Sequence, residues 1–322
     1  MSASPATRAA WASQFTATAR AHWTPARTEE LARGKQLAVL PAEAPLLLRA
    51  LGLLHRDGTM PPPQVRKFLQ INHMVRLLEP AVRALAARHP VVRLVDAGCG
   101  RSYLTLLVAW CARARWQLGG RLEVLGVDRD PAVIDVCRAR TELAQLDDVV
   151  RFEAAPLAEL ELAAAWQRRF GDVGAIHGVV ALHACDRATC DAIALGVGLG
   201  AELIAVAPCC QAELAAAWRT LDGPGPFAPV WRAPHLRREL AAHVTDTLRV
   251  LLLRGAGYQV TPMEFIGAEH TKKNTLLRAA RDPADAVAVD GAAAHAEYHA
   301  LVAATGGAGL ALAARLGVAP PP

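Results

Sequence analysis

The chain has 322 residues, of which 53% are hydrophobic and 20% charged, enough to bury a large core and too apolar for global disorder. Its net charge of +5 and pI near 9.0 suit a nucleic-acid partner without requiring one, because arginine is spread along the chain and no dense basic run occurs. The longest apolar runs, residues 203–210 and 250–253, fall far short of the ~20 residues that cross a bilayer, so a membrane-spanning protein is excluded.

In chain order, residues 1–87 contain no convincing strand. Residues 44–54 and 65–78 carry apolar side chains at helical spacing and predict amphipathic helices, separated by the turn Arg56-Asp57-Gly58-Thr59-Met60-Pro61-Pro62-Pro63. Pro80 is expected to kink or restart the second of them. From Val91 the pattern changes. Residues 91–96 form a short apolar run ending in Asp96, followed by Gly98-Cys99-Gly100 and a helix over 103–114. A strand over 122–127 closes on Asp128, and a helix over 131–144 follows with proline in its first turn. Further strands are predicted at 149–152, 175–182 and 202–207, with helices at 188–197 and up to Trp218. Residues 223–234 are Pro-rich and irregular, 235–255 helical, and 258–265 and 274–280 strands. From Asp282 one helix is expected. Alternating strands and helices indicate a mostly parallel sheet covered on both faces. The expected division is a helical N-terminal extension at 1–87, an α/β domain at 88–281 and an Ala-rich tail at 282–322.

In an open parallel sheet, ligands bind beyond the carboxyl ends of the strands. After the first strand, Asp96-Ala97-Gly98-Cys99-Gly100 lets the backbone turn sharply and approach a ligand, while the next helix offers free N–H groups. After the second, Asp128 is a carboxylate suited to two ribose hydroxyls. A nicotinamide dehydrogenase would need a third glycine where Tyr103 stands. The order strand, Asp-x-Gly-x-Gly, helix, strand, Asp instead resembles the S-adenosylmethionine (SAM) site of the class I methyltransferases, with a Rossmann-like sheet. That resemblance implies cofactor contacts from Asp96, Gly98, Gly100, Tyr103 and Asp128.

Two further segments narrow the resemblance: His183-Ala184-Cys185-Asp186-Arg187-Ala188-Thr189-Cys190-Asp191 and Val206-Ala207-Pro208-Cys209-Cys210-Gln211. They are similar to a branch with His-x-Cys, Ala-Thr-Asp and Cys-Cys patterns, which includes tRNA 2′-O-methyltransferases of the acceptor stem and many bacterial proteins. Arg66-Lys67-Phe68-Leu69-Gln70-Ile71-Asn72 and Glu269-His270-Thr271-Lys272-Lys273-Asn274 resemble flanking pieces of its bacterial members. Cys190 departs from the pattern, which has Asp there. The zinc modules of the eukaryotic tRNA enzymes are absent, so their substrate does not carry over.

Several chemistries remain open for these residues. His183, Cys185 and Cys209 invite a metal, but Cys209 and Cys210 are adjacent and no C-x-x-C occurs, so none is expected. Pro208-Cys209 admits a nucleophilic thiolate, against ordinary burial of the cysteines. A neutral acceptor needs a general base, for which His183 and Asp186 are best placed, with Glu269 and His270 closing the pocket. Lys67, Gln70 and Asn72, together with Lys272 and Asn274, are expected to hold the acceptor, the lysines meeting phosphates if it is RNA. Lysine is scarce, with only Lys35, Lys67, Lys272 and Lys273 present. The expectation is thus a SAM-dependent methyltransferase acting on rRNA or tRNA, with protein or small-molecule methylation, or a catalytically silent SAM-binding scaffold, as alternatives. With seven cysteines and no apolar leader visible after Met1, a reducing, cytoplasmic setting without a membrane partner is the expectation.

Overall fold

The computed structural model describes residues 4–171, 174–182, 186–208, 211–221, 223–264, 274–281 and 290–319. It divides into two compact units: Met1–Arg93, Cys99–Pro156 and Glu161–Val173 in the first, and Leu94–Gly98, Leu157–Leu160 and Gly174–Pro322 in the second.

The first unit begins with α1 (Pro5–His22), α2 (Pro25–Ala32), α3 (Pro45–Ala50) and α4 (Pro62–Arg88). Each opens on a proline, whose missing N–H would have been an orphan in the first turn anyway. The Ser4 and Thr24 hydroxyls cap α1 and α2 by accepting from the Thr7 and Arg27 amides. The burial stripe of α1 is narrow: Phe15, Ala19 and then Trp23 just beyond its end, at i, i+4 spacing. Trp23 Nε1 donates to the Gly58 carbonyl at 2.8 Å and ties the 56–63 turn to this stripe.

Pro80 neither ends nor restarts α4, which runs unbroken through it. A proline inside a helix costs ~3 kcal/mol. Phe68, Ile71, Val75, Leu78, Val82 and Leu85 are buried along one side of α4. At about 1.5–3 kcal/mol for each such side chain, their burial outweighs that loss.

Next come β1 (Val91–Ala97), α5 (Tyr103–Ala114), β2 (Arg121–Asp128), α6 (Pro131–Ala144), β3 (Val150–Ala154) and α7 (Leu162–Phe170). β2 and β3 pair in parallel, with Gly126 opposite Phe152. A Cβ at Gly126 would lie 2.6 Å from the Phe152 ring, so only glycine lets that ring cross the strand. α7, which the sequence pattern did not reveal, buries Trp166. Its indole donates to Glu123 at 3.3 Å, and Glu123 also takes Arg93 and Arg121.

The second unit contains β4 (Gly178–Leu182), α8 (Asp186–Gly198), β5 (Leu203–Ala207), α9 (Ala212–Ala217), α10 (Ala228–Arg232), α11 (Pro234–Gly255), β6 (Gln259–Glu264), β7 (Thr275–Ala280), α12 (Gly291–Ala304) and α13 (Ala311–Arg315). The stretch expected to be irregular therefore holds the short helix α10, and the described residues of the tail hold two helices where one was expected. The residues of β5 are all buried, as a strand covered on both faces requires.

The seven strands follow the order β3-β2-β1-β4-β5-β7-β6, with helices around them. β1 pairs with β4 in parallel, Asp96 opposite Val180, and β4 with β5 likewise. β7 runs antiparallel to both β5 and β6. This is the Rossmann-like sheet expected from the sequence, and its order reverses at β1 and β4, where such sheets place their ligands. Pro262 lies in β6, an edge strand, where a missing ladder donor is tolerated. No helix among the described residues is long and apolar enough to cross a membrane.

Candidate functional site

Asp96, the penultimate residue of β1, is only 6% exposed, and beyond Ala97 the chain turns through Gly98 at φ 75°, Gly100 at φ 50° and Ser102 at φ 53°. A side chain on Gly100 would meet nothing within 4 Å, so glycine serves the left-handed backbone and leaves open space beside the loop. The loop is fastened from β2 and α6. The Cys99 amide donates to the Val127 carbonyl at 2.9 Å, and the Gly100 amide donates to Asp128 Oδ2 at 3.0 Å. From α6, the Cys137 thiol donates to the Gly100 carbonyl at 3.0 Å and Arg140 Nη1 donates to the Arg101 carbonyl at 2.8 Å. The Ser102 hydroxyl reaches Cys137 Sγ at 3.2 Å. Neither Cys137 nor Arg140 was legible as a site residue, because what each touches depends on how α6 packs.

Asp128 is half-buried at the end of β2. Oδ1 accepts the Asp130 amide at 3.0 Å while Oδ2 holds Gly100. A carboxylate offers about four acceptor positions, so about two remain for hydroxyl donors.

Tyr103 opens α5 directly after the loop. Lys67 Nζ lies 3.4 Å from the centre of its ring and the Arg140 guanidinium 5.0 Å. Burial pushes the Tyr103 phenol up, but hydrogen bonds and charge from Lys67 and Arg140 outweigh it and hold the phenol below its usual value. Lys67 thus stands beside the residue that follows the glycine loop. Gln70 is half-buried on the same helix. Asn72 was expected to face the acceptor and does not. It is 1% exposed, its Oδ1 accepts the Val39 amide at 2.8 Å, and its Nδ2 donates to the Phe68 carbonyl at 3.0 Å. A buried amide with both ends bonded to the backbone anchors the 37–39 segment to α4 and has little left for a ligand.

In the second unit, Asp186 opens α8 just after β4. Asn274 precedes β7 and donates to Glu264, the last residue of β6. His183, Cys209, Glu269, His270 and Lys272 lie outside the described residues. Among the described residues no group of three metal-ligating side chains comes together. A buried knot beside α8 was not legible in the residue pattern. Arg249, fully buried, donates to Asp246 at 3.0 Å and to Cys190 Sγ at 3.4 Å, and Gln211 Nε2 donates to the other Asp246 oxygen at 3.0 Å. Burial pushes the Asp246 carboxyl above its ordinary value against the pull of Arg249 and Gln211. Cys190, which stands where the branch has Asp, is therefore a buried neighbour of a guanidinium.

No curated protein matches the chain. Solved structures resemble it weakly. An O-methyltransferase from Bacillus cereus in complex with SAH is 13% identical, over 81% of this chain and 100% of that one, with a TM-score of 0.40. The N-terminal domain of human METTL16 in complex with SAH is 14% identical, over 74% and 80%, with a TM-score of 0.43. An rRNA methylase from Streptococcus thermophilus is 10% identical, over 62% and 94%, with a TM-score of 0.37. Likeness at this level does not distinguish substrates. The family model described as a methyltransferase domain matches residues 66–217, from the first turns of α4 to the end of α9. The matched residues hold the glycine loop, Asp128 and the parallel strands.

Proposed function

We propose that this chain is a methyltransferase that takes its methyl group from S-adenosylmethionine and passes it to RNA. The observation that carries the cofactor is the Gly100–Asp128 pairing: an open left-handed glycine turn is bonded to an acid that keeps lone pairs for hydroxyl donors. Asp96, Gly98, Gly100 and Tyr103 would hold the methionine part and Asp128 the ribose. When bound, the cofactor supplies an electrophilic methyl group on a positively charged sulfur.

The chain's own task is then to orient the acceptor and remove its proton. His183 and Asp186, after β4, are proposed for the proton, and Cys209, after β5, for the same side of the reaction. Gln70, Glu269, His270, Lys272 and Asn274 are proposed to hold the acceptor. The charge of +5 supports RNA, since arginines and lysines that meet phosphates supply affinity that falls with salt.

The test is transfer of tritiated methyl from SAM to RNA, protein and small-molecule fractions of a cell lacking the gene. Label in the RNA fraction is expected. Label only in protein or in small molecules would replace the acceptor, and label nowhere, with SAM still bound, would leave a binding protein.

A further inference from the structure

We propose that Lys67 and Arg140 form a carboxylate-binding pair, seated on Tyr103, for the amino-acid end of the cofactor. This deepens the SAM reading above and depends on it.

The arginines of the described chain commonly end on acids: Arg115 on Glu43, Arg113 on Asp148, Arg168 and Arg169 on Glu153, Arg249 on Asp246 and Arg315 on Asp191. Lys67 and Arg140 do not. Among the described residues neither has a carboxylate partner, yet both are drawn to one ring, at 3.4 and 5.0 Å from its centre. Each gains from the face of Tyr103, but two like charges held over one ring repel each other. The arrangement is completed by an anion.

The surroundings have the same sign. Ser102, the N-cap of α5, makes no side-chain cap bond, so the first-turn N–H groups add their own positive end. Arg140 is further fixed by its bond to the Arg101 carbonyl, one residue from Gly100. A cation held by the glycine loop itself answers to a molecule held by that loop. A cofactor whose ribose meets Asp128 carries one carboxylate at its other end. The ammonium and planar guanidinium supply donors for its two oxygens.

Calorimetry on the full chain tests this with two ligands, S-adenosylhomocysteine and 5′-methylthioadenosine, which lacks the amino-acid part. Lys67→Ala should weaken S-adenosylhomocysteine by about tenfold, the loss expected for one charge-assisted bond, and leave 5′-methylthioadenosine unchanged. Lys67→Met, which keeps the stem over Tyr103, should behave as Lys67→Ala does, and Lys67→Arg should restore most of the affinity. Equal affinity of Lys67→Ala and wild type for S-adenosylhomocysteine, or equal loss of both ligands, overturns the proposal. So does a loss of RNA binding alone, which would assign Lys67 to a phosphate. Wild-type protein that binds neither ligand would instead sink the cofactor reading itself.

Discussion

Two clusters of charge teach different lessons. Around Arg249 in the second unit, a fully buried guanidinium has its counter-charge supplied by the chain in Asp246, with Gln211 on the remaining oxygen. Around Tyr103 in the first unit, two cations meet with no acid among the described residues to answer them. The first cluster is closed and serves folding, since a buried charge must be paired or it opposes the fold. The second is partly exposed, where water lets a cation wait for its partner at little cost.

The contrast can be broken by substitution. The largest effect is expected at Asp246: Asp246→Ala strands the Arg249 charge and should remove about 3–5 kcal/mol of stability in urea unfolding while leaving S-adenosylhomocysteine affinity unchanged. Weakened affinity in that variant would make the knot part of the site. Next is Asp128→Ala, which should cost about 1.5–3 kcal/mol of S-adenosylhomocysteine binding by calorimetry. Unchanged affinity in a folded variant would remove Asp128 from the site.

A smaller effect comes from a pair that is closed but only half-sheltered. Burial pushes the Glu153 carboxyl up, but Arg168 at 2.7 Å and Arg169 at 2.9 Å outweigh it and hold it below 4.5. A depressed acid stabilises the fold above its unfolded value and loses that contribution as pH falls through the folded one. Wild type and Glu153→Gln should therefore differ by about 1 kcal/mol at neutral pH, discounted for the exposed arginines, and converge below pH 4.5. A gap that stays constant with pH would show that packing, not charge, is what Glu153 supplies. The smallest effect concerns metal: activity should survive EDTA, because a sulfonium methyl needs no Lewis acid. Loss on chelation that zinc restores would point to His183, Cys185 and Cys209.

Much of the sheet was legible because central parallel strands are short, nearly continuous apolar runs. Residues 91–96 and 202–207 announce β1 and β5, and Asp96-Ala97-Gly98-Cys99-Gly100 with Asp128 announces the loop. What stayed hidden depends on packing. α1 buries so narrow a stripe that periodicity hardly registers, and α7 shows itself chiefly through Trp166 and its bond to Glu123. Asn72 reads as a polar surface residue beside Ile71, but α4 turns it inward to answer the Val39 amide. Lys67 was singled out for its rarity, yet nothing in the spacing of residues 67, 103 and 140 says that three helices bring them together. The Cys137 thiol looked like one cysteine among seven until its bond to the Gly100 carbonyl was seen.

That last bond, taken with the one from Asp128, has a kinetic meaning. Gly100 is fastened by the protein at its amide and at its carbonyl. Fixing one residue's backbone costs ~1–2 kcal/mol of conformational entropy, more for glycine than for other residues. Here that ordering is completed once, when the chain folds, and need not be repeated each time a ligand arrives. An incoming molecule meets a shape already set, so its binding free energy goes into contacts rather than into quieting a loop. Turnover by such a site would then be governed by the acceptor and by product departure, with the glycine turn acting as a fixed wall.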